Sequence, residues 1–233
     1  MTETAQHATA TPLAEQLLDA CLMHVPFDGW TDAALRAAAA DIGADIAQAR
    51  SYFPRGGVDL ALAYHAQGDA RMVRQLAEHD LETMRFRDRV ALAVRLRLQD
   101  TDREAVRRGA ALFALPQHAG DGARAVWGTA DAIWNALGDT SEDGNWYSKR
   151  AILSGVYSAT VLYWLGDESP DAADSWAFLE RRINEVMQFE KAKAQVEKSP
   201  VLRAVFALPR AVMGAVRKPA TPPGGLPGRW QPD

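Results

Sequence analysis

The residues of this 233-residue chain that could do chemistry are five histidines, one cysteine and a run of aromatics set beside cations. A Glu-x-x-His pair is how helical bundles hold a di-iron centre. None of His7, His24, His65, His79 or His118 has a Glu three residues before it, so that signature is missing. Cys21 stands alone, which excludes an intramolecular disulfide and a thiolate zinc cage and suits a reducing compartment. Arg55-Gly56-Gly57 is too short for a phosphate loop, and no nucleophile elbow or Ser-x-x-Lys pair stands in a suitable setting. No residue set is left to carry catalysis, a metal or a cofactor, so the chain reads as non-enzymatic.

The aromatics point to recognition instead. Trp146 and Tyr147 follow a loop of Asp, Ser, Glu and Gly, and Lys149 and Arg150 follow them. Asn145 or Asp143 can cap the helix that they open, which the pattern extends to Leu165. Trp146 and Arg150 are i, i+4 neighbours on one face, with Tyr147 about 100° round the helix. Trp, Tyr and Arg together at the rim of a fold have the composition of a binding hot spot. The same residues equally fit a plug at the bundle end, with Arg150 stacked on Trp146. Further along, Val156, Tyr157, Val161, Leu162, Tyr163, Trp164 and Leu165 leave almost no polar side, which predicts a buried central helix.

The elements that must position these groups are all helical. Leu13, Leu17, Cys21 and Val25 recur every four residues, and Pro26 and Gly29 break that first helix. Thr31 caps a second, which stops at Gly43; a third covers 44–52 and ends at Phe53-Pro54-Arg55-Gly56-Gly57. Helices are predicted further on over 58–66, 70–80, 82–98, 101–113, 119–137, 145–165 and 172–197. Strand alternation is absent, so the fold class is all-α. Hydrophobic residues make up 48% and charged ones 24%, an ordinary globular composition, and net charge is −4. No apolar run reaches about 18 residues, so nothing is expected to span a bilayer. Residues 1–12 carry neither a basic residue nor an apolar run, which predicts a disordered lead and no transit peptide. That points to a bacterial protein of the cytoplasm.

Residues 13–66 resemble the N-terminal helix-turn-helix of TetR-type repressors: a long helix, a small-residue helix ending at glycine, a would-be recognition helix, then an aromatic–Pro segment. The charges argue against DNA. Between Leu13 and Gly68 stand Glu15, Asp19, Asp28, Asp32, Asp41, Asp45 and Asp59 against Arg36, Arg50 and Arg55, seven acids less three bases, a net of −4. Asp45 falls in the first turn of the would-be reader, where phosphate contact needs neutral or basic groups. The expectation is a degenerate helix-turn-helix without nucleic-acid binding. The alternative reading is a ligand-responsive transcription regulator.

A sharper likeness spans residues 138–187. Gly138, Asp139, Asp143, Asn145, Trp146, Tyr147, Lys149 and Arg150, then Tyr157, then Asp167, Ser169, Trp176, Phe178, Leu179 and Arg182 form one long pattern. In it the chain resembles the ubiquinone (coenzyme Q) biosynthesis accessory family, the ninth of the coenzyme Q proteins. That family has a TetR-like fold with a segment matched by Phe53, Pro54, Arg55 and Gly56. Gly144 departs from the pattern, since a bulkier residue is commoner there. The resemblance implies a non-enzymatic protein that binds ubiquinone precursors or other isoprenoid lipids and presents them to a quinone-ring hydroxylase through a surface centred on Trp146, Tyr147 and Arg150. The lipid is expected in the bundle near Trp127, Trp134, Tyr157 and Trp164, although aromatics at such helical spacings suit plain core as well. A homodimer is compatible with the pattern.

The C-terminal stretch carries its own signal. On a helical wheel Val201, Leu202, Val205, Phe206, Leu208, Pro209, Val212, Met213 and Val216 span about 160°, while Arg203, Arg210 and Arg217 line the far side. About 16 residues at about 1.5 Å each reach about 24 Å, short of a hydrocarbon core of about 30 Å. The segment is therefore expected to lie, kinked at Pro209, on an anionic membrane surface, peripheral to the inner membrane. The alternative is a helix docked on its own bundle. The organisation predicted is a lead at 1–12, a helix-turn-helix-like region at 13–69, a lipid-binding bundle at 70–198, a membrane-surface helix at 199–218 and a disordered tail at 219–233.

Overall fold

The fold is taken from a computed structural model, which describes residues 12–141 and 144–197. Asp143, the 199–218 segment with its proposed membrane residues, and the predicted disordered stretches before residue 12 and after 218 lie outside the described residues. Within them every element is helical and none is a strand. The order is α1 (Leu13–Leu22), α2 (Val25–Asp28), α3 (Asp32–Asp41), α4 (Ile46–Tyr52), α5 (Gly57–Ala77), α6 (Phe86–Gln99), α7 (Arg103–Phe113), α8 (Ala119–Ala136), α9 (Gly144–Leu165), a 3₁₀ turn (Pro170–Ala172) and α10 (Ala173–Glu197).

Helix starts follow their cap chemistry. The Thr31 hydroxyl accepts from the Ala34 amide at 3.3 Å, Asp45 from Ala47 at 2.8 Å and Asp102 from Ala105 at 2.7 Å. The first helix stops at Leu22, earlier than its apolar spacing suggests, and Pro26 sits in the first turn of the separate helix α2. The stretch from 82 to 85 is turn, so α6 begins at Phe86. The two helices predicted over 58–66 and 70–80 are one, α5. Gly68 does not break it: a Cβ there would come within 2.6 Å of the Arg97 guanidinium, so glycine lets α6 lay that side chain against α5.

Two cores result. Leu17, Leu18, Cys21, Val25, Ala34, Leu35, Ala38, Ala39 and Ala49 fill the unit of α1 to α4, closed by Trp30, Phe53 and the start of α5. Met72, Leu76, Val94, Leu98, Ile133, Leu153, Tyr157, Trp164 and Leu179 fill the bundle of α5, α6, α8, α9 and α10. Trp30 joins them. Its indole donates to the Ala105 carbonyl at 2.9 Å and its ring lies 5.4 Å from that of Tyr64 on α5. Gly57 fixes the approach, since a Cβ there would sit 2.1 Å from the Trp30 carbonyl oxygen.

Candidate functional site

Helices α5, α7, α8 and α9 surround a cavity of about 690 Å³, within the ordinary range of ligand pockets. Nearly half of its lining is Ala or Gly, among them Ala61, Ala105, Gly109, Gly122, Ala151 and Gly155. Short side chains on these helices leave the space between them unfilled. Trp30 and Phe113 contribute to the wall, and Trp127 lines it from α8. On α9, Ala151, Gly155 and Leu162 are exposed as well as lining, which places the mouth along that helix. A Cβ on Gly155 would meet nothing within 4 Å.

Polar groups gather on one side of the cavity. Arg97 from α6 is buried, its Nε donating to Asp69 Oδ1 at 2.6 Å and a terminal nitrogen to the His65 carbonyl at 3.0 Å. Thr129 donates to Asp69 at 2.9 Å and lies 2.7 Å from His65 Nε2, which is also 3.1 Å from the Ala125 carbonyl. Burial pushes the His65 imidazole down to about 4, with Arg97 acting in the same direction and Asp69 against it. The ring is neutral at physiological pH. Burial raises the Tyr157 phenol, so it stays protonated.

Trp146 and Tyr147 form a T-shaped pair with centroids 4.8 Å apart, and both pack on Trp127, at 5.9 and 6.3 Å. The three rings are only partly buried. Arg150 differs from its expected place on that surface: its side chain is 1% exposed. Its guanidinium lies 4.1 Å above the Trp146 ring, as the end-plug reading required. It also donates to Asp131 at 2.5 Å, Asp139 at 3.0 Å and Asn135 at 3.2 Å. Its donors are committed inward because the short loop before α9 folds Asp139 under that helix. Arg150 therefore supports the aromatic pair from below and makes no outward contact. Lys149 completes the cluster, reaching Asp139 at 2.7 Å and Ser141 at 2.6 Å. Burial would raise the Asp139 carboxyl, but the bonds from Lys149, Ser141 and Arg150 hold it far below the usual range.

A model of the COQ9 family matches residues 119–190, from the start of α8 into α10. The mitochondrial ubiquinone biosynthesis protein COQ9 of Rattus norvegicus is 32% identical over 223 residues, covering 91% of this chain and 69% of that protein. This chain belongs to the COQ9 family. The Homo sapiens protein of that name is 31% identical with 91% and 68% covered, and the Drosophila melanogaster one 32% identical with 84% and 61% covered. Among solved structures, a TetR transcriptional regulator from Nitrosomonas europaea superposes with a TM-score of 0.60 at 17% identity, over 75% of this chain and 98% of that one. The fold is thus TetR-like.

In this COQ9-family chain the residues expected around the lipid part company. Trp127 and Tyr157 line the one cavity together. Trp134 lies on the other side of α9, stacked on Phe86 at 5.4 Å and lining a smaller cavity of about 210 Å³. Trp164 is buried beneath Arg103, whose guanidinium is 4.7 Å from its ring. Nor is the second half of α9 buried all round: Leu162 is 68% exposed, and Tyr163 stacks on Phe178 at 4.6 Å near the surface. The second part of the family pattern builds a corner. Asp167 accepts from the amides of Ser169 and Ser175, each at 2.8 Å, and the Trp176 indole donates to the Asp171 carbonyl. The Ser169 and Ser175 bonds hold the Asp167 carboxyl below its usual range. Sequence reasoning missed the Arg97–Asp69–His65–Thr129 network. Its one signal is an arginine on the apolar-facing side of α6.

Proposed function

We propose that this chain is a non-enzymatic, lipid-binding accessory protein of ubiquinone biosynthesis. It holds an isoprenoid quinone precursor in the cavity of α5, α7, α8 and α9 and presents it to a ring hydroxylase that docks over Trp146 and Tyr147. The pathway rests on its relatives, which are ubiquinone biosynthesis proteins. The observation that carries the rest is Trp127, which lines the cavity and packs on both aromatics. A partner covering that pair would sit against the wall of the lipid site. Among the described residues no helix is long and apolar enough to cross a membrane. Contact with an anionic membrane surface is assigned to residues 201–217 on their amphipathic pattern.

Changing Trp146 to Lys tests the docking surface. Loss of a central interface aromatic typically costs about 2–4 kcal/mol, or roughly 30- to 1000-fold in affinity. A pull-down of the hydroxylase should weaken by that factor while circular dichroism stays native. A folded variant that binds at full strength ends the interface proposal. The TetR-like fold supplies a second test. The α1 to α4 unit offers DNA little: Asp45 caps α4, and Arg50 lies 3.6 Å from Asp32. Gel shift with genomic fragments at low salt should show no salt-dependent complex. Nanomolar binding that falls steeply with salt would establish a regulator instead.

A further inference from the structure

The geometry points to a second binding site, for a phosphate monoester, in the cleft where the ends of α6 and α9 meet the starts of α7 and α10. The cleft measures about 480 Å³ and shares no lining residue with the cavity of α5, α7, α8 and α9. Arg95 from α6 and Arg103, the first residue of α7, both line it. Each lies on a tryptophan. The Arg95 guanidinium is 5.1 Å from the centre of the Trp176 ring, and that of Arg103 is 4.7 Å from Trp164.

The two platforms are fixed. Trp164 is buried, and the Trp176 indole donates to the Asp171 carbonyl at 2.8 Å. Stacking holds the plane of a guanidinium and leaves its N–H edge free, the edge that grips oxyanions through paired hydrogen bonds. Arg103 spends one nitrogen on the Asp167 carbonyl. Arg95 has its ring contact alone.

Neither arginine has a carboxylate partner, which sets the pair apart. Arg55, Arg97 and Arg150 each hold an aspartate, at 2.8, 2.6 and 2.5 Å. The acids nearest the cleft in sequence are turned elsewhere. Asp167 accepts from Ser169 and Ser175, Asp102 caps α7 at Ala105, and Asp100 takes the Gln75 amide. Asp171 is the one carboxylate among the lining residues, and it pairs with neither cation. Two positive charges against one negative leave a surplus. Neutral donors stand beside them: the Gln99 amide, and the Ser169 hydroxyl, whose oxygen accepts from Asp174 and whose proton has no acceptor.

The number of cations decides between oxyanions. A carboxylate, singly charged with two oxygens, can satisfy one arginine. A phosphate monoester offers three terminal oxygens and carries about −1.5 to −2 at neutral pH, enough for both. The monoester group can belong to a soluble metabolite or to a lipid such as phosphatidic acid, and the cleft reads only the phosphate.

Calorimetric titration of the full chain at constant ionic strength tests this with inorganic phosphate, glycerol phosphate and acetate. Both phosphates should bind, and acetate at least about tenfold more weakly. Arg95→Gln changes an exposed side chain and should weaken phosphate binding about tenfold or more with an unchanged melting temperature. Asp171→Asn should strengthen it about two- to fivefold by removing a like charge. Asparagine accepts the left-handed backbone that Asp171 adopts at φ 52°, so that variant keeps the turn. No binding of either phosphate at about 10 mM overturns the proposal, as does binding that both variants leave unchanged. Vesicles containing phosphatidic acid tell the two sources apart. Retention that drops with Arg95→Gln places the monoester on a membrane. Unchanged retention, beside weakened glycerol phosphate binding, places it in solution.

Discussion

The unit of α1 to α4 and the bundle behind it are built from the same kind of helix, yet they bury different things. In the first, the buried residues are Leu17, Leu18, Cys21, Val25, Trp30, Leu35, Phe53 and a set of alanines, with polar groups kept outside as caps and pairs such as His24 with Asp41. In the second, Arg97, Thr101, Asp121, Thr129, Arg150, Thr160, Asp167 and Ser175 are all buried, and among the described residues no buried polar side chain lies before residue 97. Burying a charge stabilises little by itself and demands close pairing. A fold that needed only to pack could do it with leucine and alanine, as the first unit does. The bundle holds ions where geometry must be fixed: under the aromatic pair and beside the cavity.

The largest effect that would break this contrast is at Arg150. Replacing it with Met leaves the buried Asp139 with Lys149 as its one remaining cation, and removing one partner from such a pair typically costs about 3–5 kcal/mol. For a chain of this size the thermal midpoint should fall by roughly 6–20 °C. A variant that melts like the parent would mean the ions are ornament and the two regions are alike.

Next in size is a pH dependence that belongs to the bundle. The His65 imidazole titrates near 4 in the fold and near 6.5 when unfolded. Between those values the unfolded chain takes up a proton that the folded one refuses, so stability falls as pH drops through the window. The full contribution is present above about pH 6.5, and the loss approaches about 3 kcal/mol at pH 4. Urea midpoints from pH 4 to 7 should show this slope, and His65→Gln should flatten it. Carboxylates such as Asp139 and Asp167 act lower and persist in both proteins. An unchanged slope in the variant would show that the ring is already open to water.

The smallest effect sharpens the comparison. A glycine inside a helix is about 1 kcal/mol worse than alanine, and Gly155 stands mid-way along α9 with free space over it. Gly155→Leu should raise stability by up to about 1 kcal/mol while narrowing the cavity mouth and lowering the lipid retained on purification. Gain in melting temperature together with loss of lipid, measured on one sample, is the expected pair. Stability gained with lipid retention intact would move the mouth elsewhere.

Much of this was legible beforehand. Periodicity located the helices because each buries one stripe, and Thr31 caps where its chemistry says it should. The family pattern at 138–187 lies inside the stretch that the family model matches. What stayed hidden depends on what faces a residue. Gly68 reads as a breaker until Arg97 is seen lying on it. Arg150 reads as a surface cation because a helical wheel cannot show Asp131 and Asp139 closing over it from α8 and the following loop. The cavity is a matter of missing side chains on four separate helices, and a run of alanine and glycine looks the same whether its face is packed or empty.

Helix α5 makes the chain hard to divide. A fragment cut at residue 70 to isolate the bundle would lose Tyr64 and His65 from the cavity wall and Asp69 from Arg97. One cut at residue 57 would keep them but strip away Trp30, which lines the same cavity and is tied to Ala105. The unit that resembles a DNA reader thus supplies part of the wall of the bundle's cavity. Modularity, the usual virtue of a two-part fold, has been given up here.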